Sequence, residues 1–247
     1  MRYLLAALIL LSAKPVYTQD KVISFSSAKK QMVKIYQANP NASTFYCACN
    51  IKWTGKKGMP DSESCGYTPR NELTKKGNVN KRAKRIEWEH VMPAFRFGSQ
   101  LQCWQNGGRK ACKKVKAFKQ MEGDLHNLVP AVGELNADLS NYRFGMIEGE
   151  KRRYGQCDFE VEFKAKKAEP PVAVRGDIAR TYFYMADRYG LKLSKSQRKL
   201  LGVWDRSDPV DNWERERNQA IDEIQGNGNS YINELIISLT YVHHYLY

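Results

Sequence analysis

The sequence predicts one α+β domain stapled by disulfides, and three observations carry that expectation. Stretches with apolar residues at helical spacing and short alternating stretches occur along the chain, with no internal repeat or low-complexity linker. The 247 residues are 42% hydrophobic and 27% charged, a balance that builds a core and excludes a disordered chain. Cysteines stand at 47, 49, 65, 103, 112 and 157, behind an export pattern, and an even number in that setting favours three bridges.

The chain opens with Met1-Arg2-Tyr3 and an apolar run from Leu4 to Leu11, which reads as a secretory signal within residues 1–19. Cleavage after Ala13 and cleavage nearer Gln19 both fit. The run is far short of the roughly 20 residues that cross a bilayer, and no later stretch is apolar enough to do so. Residues 20–247 are therefore expected as one exported domain without a membrane anchor, in the periplasm or the medium. Residues 26–38 place Met32, Val33, Ile35 and Tyr36 on one side of a helix stopped by Asn39-Pro40. Residues 47–80, rich in Gly, Lys, Asn and Pro, read as bridged loops. Residues 85–91 alternate like a strand that Pro93 ends. Residues 128–143 are expected to be helical, with Leu128, Val132, Leu135 and Leu139 in register and Pro130 early. Residues 158–164 alternate as a second strand, and Pro170-Pro171 marks a turn. Three helices follow: Asp177 to Tyr189, ended by Gly190; one begun by Ser194 with Gln197 three residues on; one capped by Asp211 with Glu214 and closed by Gly226.

The formal net charge is +14, and removal of Arg2 and Lys14 with residues 1–19 leaves +12. A cation of that size attracts nucleic acid, anionic membrane or acidic polysaccharide, although a basic surface also serves solubility alone. A zinc site is the competing reading of the cysteines. Cys47-Ala48-Cys49 lacks the usual gap, and no matching Cys or His pair follows. Of the 15 possible pairings, Cys103–Cys112 is favoured because it closes a small loop containing Asn106-Gly107-Gly108.

Three places break the pattern expected of a plain scaffold. In Glu87-Trp88-Glu89-His90, an inward Trp88 turns His90 inward beside two glutamates; a hydrogen-bonded core histidine is the bland alternative. In Gly133-Glu134-Leu135-Asn136, Asn136 sits at the edge of an apolar helical face. There it must find a partner, either a carbonyl or a hard cation such as magnesium. Arg109, in a glycine-containing loop pinned by Cys103 and Cys112, suits a phosphate clamp or a solvated turn. Together these make a one-metal phosphodiesterase kit.

The chain resembles the bacterial endonuclease I family, periplasmic and secreted non-specific nucleases with a ββα-metal core. The resemblance rests on Thr44-Phe45-Tyr46-Cys47-Ala48-Cys49, Cys65-Gly66-Tyr67, residues 85–91, Cys103-Trp104, Gly107-Gly108-Arg109-Lys110, Asp124-Leu125-His126-Asn127-Leu128, Gly133-Glu134-Leu135-Asn136, Ala168-Glu169-Pro170-Pro171 and residues 175–182. It implies His90 as general base, Glu89 and Asn136 as ligands of one Mg²⁺ (Mn²⁺ or Ca²⁺ substituting in binding) and Arg109 as phosphate contact. Glu87 and Glu122 are supporting acids, and His126 is read as structural. It further implies a monomer that cleaves double- and single-stranded DNA, and RNA, to 5′-phosphate products, held through the backbone. Glu89 and His90 are neighbours, so the site must straddle the strand end or the chain must bend. A fourth disulfide seen in relatives is missing, and the tail after about 226, with His243-His244, does not resemble the family. Two rivals remain open: a metal-independent ribonuclease pairing His90 with His126, and a non-catalytic nucleic-acid-binding protein of the envelope.

Overall fold

The computed structural model describes residues 22–149 and 151–232; the segment expected to be a secretory signal and His243-His244 lie outside them. Helix α1, Phe25–Ala38, begins where the Ser24 hydroxyl accepts the Ser27 amide at 3.2 Å, and it buries Met32, Val33, Ile35 and Tyr36 as its spacing requires. Between residues 47 and 80 the expected loops contain a hairpin, β1 (Ile51–Thr54) with β2 (Lys57–Pro60), and a helical turn, α2 (Ser62–Cys65). The Gly and Lys content had masked the alternation of Ile51 and Trp53. Strand β3, Ile86–His90, falls where expected. Four short helices follow that periodicity had not indicated: α3 (Ala94–Gly98), α4 (Gln102–Gln105), α5 (Gly108–Cys112) and α6 (Lys116–Glu122).

The helix expected over 128–143 is corrected. Its first part is a strand, β4 (Leu128–Val132), and only α7 (Gly133–Leu139) is helical. All five β4 residues are buried, because the strand is wedged between two apolar clusters. Leu128 joins Ala28, Met32 and Ile221, while Val129, Ala131 and Val132 join the larger core with Leu135, Leu139 and Ile178. A strand buried on both faces has no alternation to read. It pairs antiparallel with β3, Ile86 opposite Val132 and His90 opposite Leu128, and α7 follows without a break. The outcome is a ββα unit.

A small sheet of order β5-β7-β6 comes from Arg143–Phe144, Lys167–Glu169 and Glu160–Glu162, so the strand expected over 158–164 is shorter than its alternation implied. Helices α8 (Arg175–Tyr189), α9 (Lys195–Ser207) and α10 (Asn212–Gln225) follow as expected. Ser194 accepts the Gln197 amide, Asp211 and Glu214 form a capping box, and Gly190 and Gly226 end their helices. Arg180 of α8 is buried, donating from Nε and Nη2 to Glu214 at 2.8 and 2.5 Å and from Nη1 to Asp205 at 3.1 Å, which locks these helices together.

All six cysteines are bridged: Cys47–Cys157, Cys49–Cys65 and Cys103–Cys112, the last as expected. Cys47–Cys157 joins residues 110 apart; by chain entropy it contributes about 5 kcal/mol, against about 3 for each short loop.

Candidate active site

The last rung of the β3–β4 ladder is His90 opposite Leu128. Beyond it the backbone is carried by Asn127, whose side chain accepts the Met92 amide at 2.7 Å and donates to the Met92 carbonyl at 3.0 Å. Pro93 then turns the chain into α3. A cavity of about 230 Å³ opens at this strand end. Its walls include Glu89, His90, Arg109, Asn136, Phe25 and Ser140. The two adjacent residues reach one space because the site straddles the end of the strand.

Glu89 is 4% exposed, and its carboxylate has no hydrogen-bond or ion-pair partner among the described residues. Burial, with Glu87 adding repulsion and Arg82 opposing, pushes its carboxyl well above the usual carboxylate range. An unpaired buried carboxylate is an expensive arrangement unless a cation answers it. Across the cavity Asn136 of α7 donates its Nδ2 to Glu87 Oε2 at 3.1 Å, which leaves Oδ1 for another partner. Glu87 is itself clamped by Arg82 and by Arg85, the latter at 3.0 and 2.6 Å. This close approach needs Gly133, since a Cβ there would stand 3.0 Å from the Glu87 carboxylate and 2.8 Å from the Arg82 carbonyl.

His90 Nε2 lies 2.9 Å from the main-chain carbonyl of Glu122. A carbonyl only accepts, so Nε2 carries the proton and Nδ1 keeps the lone pair. Phe25 stacks on the ring at 4.8 Å and Phe97 meets it edge-on at 5.9 Å, fixing its plane. Burial lowers the imidazole pKa to about 4, with the Glu122 bond opposing and Arg109 and Lys29 adding to the fall. The ring is neutral at neutral pH.

Glu122 has a second task. Its buried carboxylate accepts Arg109 Nε at 2.9 Å and lies 2.8 Å from Nη2. Arg109 stands on the helical turn α5 rather than in a loop, next to the Cys103–Cys112 bridge. Gly123 lets the Ile23 segment lie against Glu122, because a Cβ at 123 would fall 1.8 Å from the Ile23 carbonyl oxygen. Phe25 and Asn127 were not foreseen as site residues; neither carries a local signal, one being a lone aromatic in a helix and the other acting on backbone.

His126 is not in this cavity. It is 1% exposed, contacts the Asn227 carbonyl through Nε2 at 2.9 Å and packs on Tyr184 at 4.6 Å. That fits its structural reading and separates it from His90.

Among the described residues no group of three or more His, Cys, Asp or Glu is arranged to hold a metal. The oxygens that would do so here are one carboxylate, Glu89, and one amide, Asn136. A hard cation that keeps several waters accepts such a set, and the unpaired Glu89 carboxylate and spare Asn136 oxygen fit it.

Residues 24–235 match the family described as Endonuclease I. The chain belongs to that family. A periplasmic deoxyribonuclease of Aeromonas hydrophila is 52% identical over 228 residues, 92% of each chain. A protein named Endonuclease-1 from Buchnera aphidicola is 47% identical over 222 residues, covering 90% of this chain and 85% of its own. An extracellular ribonuclease of Bacillus subtilis shares 30% over 128 residues, 44% of this chain and 43% of that one. No helix among the described residues is long and apolar enough to cross a membrane.

Proposed function

We propose that this endonuclease I family member is an exported nuclease that hydrolyses phosphodiester bonds of DNA with little sequence preference. One observation carries the reading: Glu89 and His90, Arg109 and Asn136, drawn from three separated stretches of sequence, line one cavity at a strand end. The periplasmic and extracellular names of the relatives support export.

His90 presents Nδ1 to the cavity and takes a proton from water, which attacks the phosphorus in line with the departing 3′ oxygen. The product strand then carries a 5′-phosphate. Arg109, held by Glu122 through Nε and Nη2, offers its Nη1 edge to a phosphate oxygen. Glu89 and Asn136 would hold one divalent cation, in the first instance Mg²⁺. Bound there, it supplies charge neutralisation at the phosphate and its leaving oxygen. The chain's own part is to keep His90 neutral and its plane fixed, and to aim Asn136 by its bond to Glu87.

Activity on RNA is the second reading, favoured by the relative named extracellular ribonuclease. Both are tested by incubating plasmid and single-stranded RNA with the protein, with and without chelator. We expect nicking and RNA cleavage that stop with chelator. Chelator-resistant cleavage of RNA alone would favour the metal-independent rival, and retention without cutting the non-catalytic one. His90→Ala should abolish cutting while DNA binding persists; wild-type rates in that variant would remove the assigned base.

A further inference from the structure

The catalytic cavity takes one phosphate, and a strand presents many. A second cavity, of about 380 Å³, lies on the other side of the 91–96 segment. Pro93 and Ala94 line the first cavity, while Met92 and Arg96 line the second. Lys192, just before α9, and Ser194 and Gln197 at its start line the second cavity as well, with Ser99 and Tyr182.

The lining contains two cations and no carboxylate. Arg96 donates from Nη2 to the Asn141 carbonyl at 3.3 Å and, among the described residues, has no acidic partner; Lys192 likewise has none. Two cations without acidic partners that line one cavity repel each other, and an anion bound there removes that penalty. The walls are preset rather than loose. Gln100 donates to the Lys192 carbonyl at 3.3 Å and to the Arg96 carbonyl at 3.0 Å, and accepts the Lys192 amide at 2.7 Å. Lys195, Arg198 and Lys199 extend the positive surface outward along α9, whose first turn contains no acid.

We infer that this cavity binds a non-scissile phosphate of the nucleic-acid strand, holding it across α3 while its neighbour occupies the catalytic cavity. The inference rests on the nuclease reading and adds to it where the strand runs. Base identity plays no part in it, in keeping with backbone binding.

The test uses the full chain. In a His90→Ala background with chelator, affinity for a single strand of about a dozen nucleotides is measured against salt, with and without Lys192→Glu or Arg96→Gln. Each change should weaken binding several-fold and flatten the salt slope by about one ion. With His90 restored, kcat/KM should fall about tenfold on that strand and no more than about threefold on a dinucleoside monophosphate, which brings only one phosphate. Unchanged affinity and slope in Lys192→Glu, whose side chain is exposed and whose fold is checked by thermal melting, would overturn the inference. So would variants that relieve inhibition by inorganic phosphate yet bind the strand normally, for the cavity would then take a free anion. A protein that cuts neither substrate would defeat the nuclease reading, and the binding comparison would still judge the cavity.

Discussion

Glu122 joins His90, the proposed general base, to Arg109, the proposed phosphate clamp, so Glu122→Gln separates the two. The substitution keeps size and one acceptor but removes the charge that receives Arg109 Nε at 2.9 Å and lies 2.8 Å from Nη2. Charge-assisted bonds contribute roughly 1.5–3 kcal/mol each when dry. The Arg109 side chain is 43% exposed, so water screens the pair and its net contribution to stability is about 1 kcal/mol. In a domain of this size that lowers Tm by about 3 °C. The effect on catalysis should be larger, because a freed guanidinium no longer meets the phosphate in one geometry. Loss of about 1.4–2.7 kcal/mol of transition-state stabilisation is a fall of about 10–100-fold in kcat/KM. The carbonyl that orients His90 is main chain and survives, so the pH dependence of the residual rate should match the wild type. The assay is kcat/KM on a short duplex across pH, with a melting curve on the same sample. A rate within about twofold of wild type would refute the clamp, and a changed pH profile would refute the division of labour within Glu122.

Further outcomes follow from the same geometry. Glu87→Ala frees the Asn136 amide that Oε2 accepts at 3.1 Å and should weaken Mg²⁺ affinity about 10–100-fold, read by calorimetric titration; unaltered affinity would detach Glu87 from the ligand set. His126 is buried with its pKa lowered to about 4, chiefly by desolvation, so the unfolded chain binds more protons between about pH 6.5 and 4. Stability is fully present above that window and lost as pH falls through it, by on the order of 3 kcal/mol. His126→Gln should reduce this acid sensitivity in urea melts, and an unchanged slope would contradict it. Replacing Cys103 and Cys112 with serine should remove up to about 3 kcal/mol and, by loosening α5, lower kcat/KM more than a bridge remote from Arg109 would; equal activity would show that α5 holds Arg109 without it.

The legible parts of the fold are those decided within a few residues. Ser194 with Gln197, and Asp211 with Glu214, announce helices because the capping bonds close over three positions. Residues 128–132 mislead for the opposite reason. Leu128, Val132, Leu135 and Leu139 satisfy helical spacing, but what makes 128–132 a strand is the partner strand at 86–90, about 40 residues earlier. Helices α3 to α6 run to seven residues at most, too short for a period to repeat. Within the site, Asn136 and His90 stood out as polar side chains in apolar patterns. The carbonyl of Glu122 could not stand out, because a main-chain group has no sequence signature, and Phe25 is an ordinary helix residue until α6 brings His90's partner beside it.

Three of the four cavity groups share one device. Each multivalent side chain is tied by one end and keeps another atom without a partner among the described residues: His90 is held by Nε2 and keeps Nδ1, Asn136 is held by Nδ2 and keeps Oδ1, and Arg109 is held by Nε and Nη2 and keeps Nη1. Glu89 alone is held by its backbone, on the penultimate rung of β3. Tying one end removes the rotamer freedom that substrate binding would otherwise have to freeze. It also dictates which atom faces the substrate, which neither residue identity nor distance from the cavity specifies. The ties come from Glu87 and Glu122, two acids outside the reacting set. Chemistry in this family member should therefore be as sensitive to those two carboxylates as to Arg109 and Asn136, the side chains they hold, while substitutions that keep the ties, such as Arg85→Lys beside Glu87, should be far milder.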